Sequence, residues 1–255
     1  MKTIILAGGF GTRLSEETDI IPKPMIEIGG YPLLWHIMKQ FSCQNKKDFI
    51  VALGYKGEVI KKYFLQYPEL HSNLKIDLAN GKVHAEQNYD ENWTIELVET
   101  GKNTMTGGRL LNLRDKIKDT FIFTYGDGLA NVDINKLVSF HKAHGKLATV
   151  TAVNPVSRFG LLRLSQENEV LSFAEKPGVK NELINGGFFV LEPKVLDYID
   201  GESISWEREP CERLVSDNQM MAYKHDGFWQ CVDTLHELRI LRQLWEDGKA
   251  EWKIW

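Results

Sequence analysis

Apolar positions along this chain alternate between two spacings. Short runs of β-branched and aliphatic residues read as strands: TIILA (3–7), DFIVALG (48–54), WTIELVET (93–100), TFIFTYGDG (120–128) and LATVTAV (147–153). Between them, apolar residues fall three and four apart. PLLWHIMKQFS (32–42) sets Leu33, Leu34, Ile37, Met38 and Phe41 on one helical face, and GEVIKKYFLQY (57–67) predicts a second helix. DINKLVSFHKAHG (133–145) predicts a third, with Asp133 as N-cap, Ile134, Leu137 and Val138 as its stripe and Gly145 as its stop. The last, TLHELRILRQLWEDG (234–248), aligns Leu235, Leu238, Leu241 and Trp245. Residues 71–92 fit neither spacing. This rhythm predicts an α/β fold with a mostly parallel central sheet flanked by helices. FGLLRLS (159–165), EVLSFAEKP (169–177) and GGFFVLEP (186–193) add a smaller antiparallel portion. No linker composition interrupts the chain, so a single domain over 1–255 is expected.

Composition narrows the classes of function. The 255 residues are 43% hydrophobic and 26% charged, which suits a folded chain with a sizeable core. A net charge of −4 gives no general attraction to nucleic acid or to an anionic membrane, so anion binding must come from a local site. TIILA is too short for a signal peptide or a span. Cys43, Cys211 and Cys231 are far apart and suit a reducing cytoplasm better than a disulfide framework or zinc site.

The chemistry concentrates in the opening MKTIILAGGFGTRLSEETDIIPKPM. In an open parallel sheet ligands sit at the carboxyl ends of strands, and a glycine turn there brings backbone N–H groups close to phosphate oxygens. Gly8, Gly9 and Gly11 would form such a cradle, leading to Arg13. A dinucleotide fingerprint starting at Gly9 fails because its third glycine position is Leu14, and no stretch supplies a P-loop. Taken alone, the glycines also read as a plain turn. Lys23 lies between Pro22 and Pro24, whose fixed φ restricts where its ammonium points. Asp127, in YGDG, reads either as a turn residue or as a carboxylate delivered to the same sheet edge. Asp233 reads from local sequence as the N-cap of the last helix. His36, His141 and His144 sit in helical patterns and read as structural.

G-G-x-G-T-R followed by P-K resembles the sugar-phosphate nucleotidylyltransferases. The similarity extends along the chain through PKPMIEIGGYPLLWHIMK, GYKGEVIKKYF, MTGGRL, FTYGDG, FHKAHGK, RFG, EKP, INGGFFVL and GFWQ, and within that family it is with the branch that joins CTP to glucose 1-phosphate. The resemblance implies a Rossmann-like fold of the nucleotide-diphospho-sugar transferase type, with a nucleotide part at about 1–130 and a sugar-phosphate part at about 131–255. It implies that Leu6, Ala7, Gly8, Gly9, Phe10, Gly11, Thr12, Arg13, Lys23, Thr104, Arg109 and Gly126 meet the nucleotide. Arg13, Lys23 and Asp127 would be catalytic, Asp127 and Asp233 would hold Mg²⁺, and Glu175, Lys176 and Asn185 would bind the sugar phosphate. A homo-oligomer with neither nucleic acid nor membrane as partner is implied as well. UTP or dTTP as donor, another phosphorylated acceptor, and a non-catalytic sugar-nucleotide-binding subunit remain as alternatives. The chain departs from the family pattern at Ile21, at Leu161-Leu162-Arg163 and at Cys231-Val232, next to Asp233.

Overall fold

The computed structural model describes residues 1–9, 21–155, 161–174 and 183–255. The strands are β1 (Thr3–Leu6), β2 (Glu27–Ile28), β3 (Tyr31–Pro32), β4 (Asp48–Leu53), β5 (Ser72–Asp77), β6 (Lys82–Gln87), β7 (Thr94–Glu99) and β8 (Phe121–Tyr125). They continue as β9 (Gly128–Ala130), β10 (Ala148–Val153), β11 (Leu161–Leu164), β12 (Val170–Ala174), β13 (Ile184–Asn185), β14 (Phe189–Leu191), β15 (Met220–His225) and β16 (Trp229–Cys231). The α-helices are α1 (Leu33–Ser42), α2 (Gly57–Leu70), α3 (Thr106–Leu111), α4 (Ile134–His144), α5 (Glu209–Ser216) and α6 (Leu235–Glu246).

The apolar runs become central strands because both of their faces are covered. Along β1, Ile5 and then Ala7 point into one core with Phe49, Val51 and Ile122, beneath Leu33, Ile37 and Phe41 of α1, Leu137 of α4 and Leu238 and Leu241 of α6. Ile4 and Leu6 point into the opposite core with Ile50, Ala52, Phe121 and Phe123, against Leu110 of α3, Leu214 of α5 and Trp206 in the segment before α5. The result is three layers, helices on either side of one sheet. β7, β4, β1 and β8 run parallel in that order. β14 lies antiparallel between β8 and β10, β13 continues alongside β10, and β15 closes the sheet parallel to β10.

The expected antiparallel portion is therefore partly absorbed into the main sheet. β11–β12 forms a separate antiparallel pair, and β9–β16 another. The unplaced segment 71–92 contains the β5–β6 hairpin, which pairs with no other strand among the described residues. Helix α2 runs past its predicted end at Tyr67 and includes Pro68 in its last turn. Helix α4 begins and ends as expected, with Asp133 accepting from Lys136 N–H at 2.9 Å and Gly145 in the left-handed region. The chain order turns back on either side of β1, which has β4 on one flank and β8 on the other. Such a switch point opens a crevice at the strands' carboxyl ends.

Candidate active site

A cleft of about 200 Å³ occupies that crevice, lined by Leu6, Ala7 and Gly9 beyond β1, by Tyr125, Gly126 and Asp127 beyond β8, and by Lys23, Pro24 and Thr106. A second recess of about 230 Å³ adjoins it, sharing Tyr125 and Asp127 and adding Asn185, Gly186, Gly187, Trp229, Cys231 and Asp233. The two together make an elongated site across the end of the sheet.

Lys23 opens a short 3-10 turn, Lys23–Met25, that follows Pro22 in an extended conformation (φ −69°, ψ 148°). Pro24 packs beside Gly126, where an added Cβ would lie 2.7 Å from the Leu6 carbonyl and 3.0 Å from Pro24 Cγ. Only glycine lets the ends of β1 and β8 and this turn come together. The turn aims Lys23 Nζ at two carboxylates: Asp127 Oδ2 at 2.7 Å and Asp233 Oδ1 at 2.8 Å. The lysine side chain is 13% exposed. Burial alone would lower its pKa, but the adjacent Asp127 and Asp233 outweigh it and raise the value, so the ammonium stays charged at neutral pH.

Residues 127 and 233 meet because β9 and β16 pair with Cys231 opposite Gly128, and Val232 N–H donates to the Asp127 carbonyl at 2.9 Å. Asp233 is not the N-cap of α6. Thr234 takes that place, its hydroxyl accepting from Glu237 N–H at 3.3 Å while Glu237 Oε2 accepts from the N–H groups of Asp233 and Thr234 at 2.7 and 2.8 Å. This capping box holds the backbone of Asp233 and leaves its carboxylate turned toward Lys23. Burial, reinforced by the nearby Asp233, pushes the Cys231 thiol up to about 12, so it stays protonated beside the pair.

Among the described residues no group of three or more His, Cys, Asp or Glu side chains is placed to hold a metal. The Asp127–Asp233 pair nevertheless suits a divalent ion. The two carboxylates already converge on one cationic centre, the Lys23 ammonium. A hard ion such as Mg²⁺ takes one or two carboxylates and completes its shell with phosphate oxygens and water.

The glycines divide their work. A Cβ on Gly9 would meet nothing within 4 Å among the described residues. A Cβ on Gly8 would overlap the guanidinium of Arg109, and one on Gly54 would lie 2.5 Å from it. A side chain at Gly8 would therefore have to displace the guanidinium packed behind the loop. Arg109 is buried, and its guanidinium donates to the carbonyls of Gly8 (3.0 Å), Leu53 (3.0 Å), Gly101 (2.7 Å) and Lys102 (3.4 Å) and to Thr100 Oγ1 (2.8 Å). Its donors tie together the loops after β1, β4 and β7. Arg109 therefore bears on the cleft through Gly8, whose carbonyl its guanidinium holds from behind.

Thr104 lies beside Gly101, whose added Cβ its hydroxyl would block; the residue of this segment that lines the cleft is Thr106. Thr106 Oγ1 donates to Glu207 Oε2 at 2.7 Å and accepts from Trp206 N–H at 2.9 Å, while Tyr125 donates to Glu207 Oε1 at 2.6 Å. Burial, then the neighbouring Glu207, raises the Tyr125 pKa and keeps its phenol protonated. Asn185 shapes the second recess, its Oδ1 accepting from Gly187 N–H at 2.9 Å, and Trp229 Nε1 donates to the Gly186 carbonyl at 2.8 Å. Phe10, Gly11, Thr12, Arg13, Glu175 and Lys176 lie outside the described residues. The structure thus gathers Leu6, Ala7, Gly9, Lys23, Gly126, Asp127, Asn185 and Asp233 around one cleft. It adds Tyr125, Thr106, Glu207 and Trp229; Thr106, Tyr125 and Trp229 fall inside MTGGRL, FTYGDG and GFWQ, and Glu207 lay outside every recognised sequence stretch.

A crevice at a switch point, glycine backbone beyond the first strand, and a lysine between two carboxylates meet in one cleft. Residues 2–247 match the family described as nucleotidyl transferase, and the chain belongs to that family. It is 51% identical over 257 residues to a glucose-1-phosphate cytidylyltransferase from Salmonella typhi, with all of both chains covered. Over 258 residues it is 46% identical to a probable glucose-1-phosphate cytidylyltransferase from Bacillus subtilis, again along both full lengths. Among solved structures, HddC from Yersinia pseudotuberculosis superimposes with a TM-score of 0.70 at 21% identity, covering 96% of this chain and 99% of that one. A UDP-glucose pyrophosphorylase complexed with UDP-glucose gives 0.67 at 16% identity, covering 97% and 98%. These two similarities support the fold, a central mostly parallel sheet between helices.

Proposed function

We propose that this chain transfers CMP from CTP to α-D-glucose 1-phosphate, giving CDP-glucose and pyrophosphate. The observation that carries the reading is the Lys23 ammonium held 2.7 and 2.8 Å from Asp127 and Asp233 at the mouth of the crevice. An oxygen of the sugar phosphate attacks the α-phosphorus of CTP. The new P–O bond forms as the bond to the β-phosphate oxygen breaks, and pyrophosphate leaves. A phosphate monoester has a second pKa of roughly 6, so the nucleophile is already mostly dianionic at neutral pH and needs no general base. The protein's work is to position two anions and to balance their charge.

Backbone from Leu6 to Gly9, together with Phe10, Gly11, Thr12 and Arg13, carries the triphosphate in this reading. Arg13 grips oxygens bidentately and Lys23 acts as a point charge. Asp127 and Asp233 would hold Mg²⁺, which when bound neutralises charge on the phosphates as the two anions approach. Arg109 and Gly126 keep the nucleotide side of the cleft in shape, and Thr104 stands on the same segment. Glu175, Lys176 and Asn185 take the sugar phosphate in this reading, Asn185 from the second recess that Trp229 also lines. The choice of cytosine and glucose is supported by the full-length identity to the Salmonella typhi protein. A cytoplasmic setting supplies CTP, and the unpaired Cys43, Cys211 and Cys231 suit it.

The test is pyrophosphate release with Mg²⁺, using each of CTP, UTP, dTTP, ATP and GTP against a panel of sugar 1-phosphates, with a chelator control. CTP with glucose 1-phosphate should give the highest kcat/KM, and the chelator should abolish it. Equal or better turnover with UTP or dTTP would overturn the base assignment. No release with any pair would leave a binding subunit as the function.

A further inference from the structure

Gly107 and Gly108 of MTGGRL make the first turn of α3 a seat for segment 202–207. A Cβ on Gly107 would lie 2.8 Å from the Ile204 carbonyl oxygen, and one on Gly108 would overlap the carbonyl of Glu202. The same two carbonyls accept from α3 and its flank: Glu202 from Met105 N–H at 3.0 Å, Ile204 from Gly108 N–H at 3.2 Å. Trp206 fixes the far end of the segment. It is fully buried against Phe123 and Phe189, and its N–H donates to Thr106 Oγ1 at 2.9 Å. Glu207 is the next residue, so it reaches the rim of the cleft from an anchored backbone.

There it takes the protons of two hydroxyls that line the cleft. Glu207 Oε2 accepts from Thr106 at 2.7 Å and Oε1 accepts from Tyr125 at 2.6 Å. A hydroxyl has one proton to donate and two lone pairs. With both protons committed to a carboxylate, Thr106 and Tyr125 present only lone pairs to the cleft. One lone pair of Thr106 already receives the Trp206 N–H, and Tyr125 Oη meets Asn185 Nδ2 at 3.5 Å. Phosphate oxygens are charged acceptors, so they gain no hydrogen bond here and are repelled by the carboxylate behind. Among the described side chains of that lining, Lys23 is the donor left to them. We infer that Glu207 is a positioning residue of the proposed transfer: by holding the Thr106 and Tyr125 hydroxyls as acceptors, it keeps phosphate off this side of the cleft, directs it to Lys23 and leaves Tyr125 to receive a hydroxyl or amino group of a substrate. The inference rests on the reading above that the cleft holds a nucleoside triphosphate.

Glu207→Gln keeps the shape, removes the charge and replaces one acceptor by an amide donor, which frees a hydroxyl proton. Calorimetry with inorganic tripolyphosphate reads the consequence without turnover: its affinity should rise about threefold or more in the variant. Glu209→Gln removes an equal charge from an exposed side chain that bonds to neither hydroxyl, and it should bind tripolyphosphate like wild type. With CTP, Mg²⁺ and glucose 1-phosphate, Glu207→Gln should lower kcat about tenfold or more while the KM for CTP stays level or falls, because triphosphate is held out of line. Its circular dichroism spectrum should remain native. Added to Tyr125→Phe, the same change should cost less than about threefold in kcat, since a hydroxyl through which it acts is gone. A wild type that releases no pyrophosphate with any nucleotide would sink the proposed reaction, and the tripolyphosphate comparison would still decide the role of Glu207. Unchanged tripolyphosphate affinity in Glu207→Gln, an equal gain in Glu209→Gln, an unchanged kcat or a raised KM for CTP would each overturn the inference.

Discussion

Replacing Arg109 by methionine keeps most of the side chain's bulk and removes every donor. The loss can be worked out acceptor by acceptor. The Gly8 carbonyl still accepts from Tyr55 N–H at 3.2 Å. The Leu53 carbonyl keeps Thr100 N–H at 3.0 Å and Thr100 Oγ1 at 2.7 Å. Among the hydrogen bonds of the described residues, the Gly101 and Lys102 carbonyls have no other donor, and both residues are exposed enough for water to replace it. Five contacts therefore do not mean five bonds' worth of stability. The net loss corresponds to one or two charge-assisted bonds, about 2–4 kcal/mol. Urea denaturation followed by tryptophan fluorescence should show that decrease with an unchanged m-value. Because the Gly8 carbonyl is held from behind by this guanidinium, the KM for the nucleotide should also rise more than the KM for the sugar phosphate. Arg109→Lys should recover only part of either effect, since an ammonium cannot span loops on several sides. A loss below about 1 kcal/mol, with nucleotide KM unchanged, would refute the view that Arg109 braces the cradle.

Further outcomes follow from other contacts. Asp127→Ala should abolish metal-dependent turnover with a native circular dichroism spectrum, and near-normal activity would remove Asp127 from the site. Thr234→Ala breaks the capping box and should lower stability by about 1 kcal/mol, read by thermal denaturation. It should also raise the Mg²⁺ concentration for half-maximal rate, because Asp233 loses its fixed backbone; an unchanged metal requirement would count against that link. Buried His36 accepts from Trp252 Nε1 at Nδ1 and holds the Ile28 carbonyl with Nε2–H, and burial lowers its pKa to about 4. A base whose pKa is depressed on folding is protonated preferentially in the unfolded chain, so stability falls as pH drops from about 6.5 toward 4. Between pH 7 and pH 5 this group should account for about 2 kcal/mol, lost in wild type and absent from the pH dependence of His36→Phe; parallel curves would contradict the assignment.

The central strands were readable because both their faces are buried: Ile4, Ile5, Ile50, Val51, Ile122 and Phe123 leave continuous apolar runs. Segment 71–92 was not readable, since its hairpin buries neither face and its alternation of Leu74 and Ile76 with Asn73 and Lys75 is too short to stand out among polar residues. Lys23 and Asp127 could be singled out from glycine and proline context together with the family resemblance. For Asp233, the letters TLHE at 234–237 already spell a capping box starting at Thr234, which favours Thr234 over Asp233 as the cap. Arg109 was conspicuous as a residue, but its use was hidden, because the carbonyls it serves come from loops separated along the chain. Glu207 carried no local signal at all, and only the fold brings it to Thr106 and Tyr125.

A crystal structure with CTP and Mn²⁺, the metal located by its anomalous signal, tests the account most directly. The triphosphate should lie along Gly8 and Gly9 within reach of Lys23, with the manganese between Asp127 and Asp233. Nucleotide bound away from the ends of β1 and β8, or manganese with neither aspartate as ligand, would contradict it.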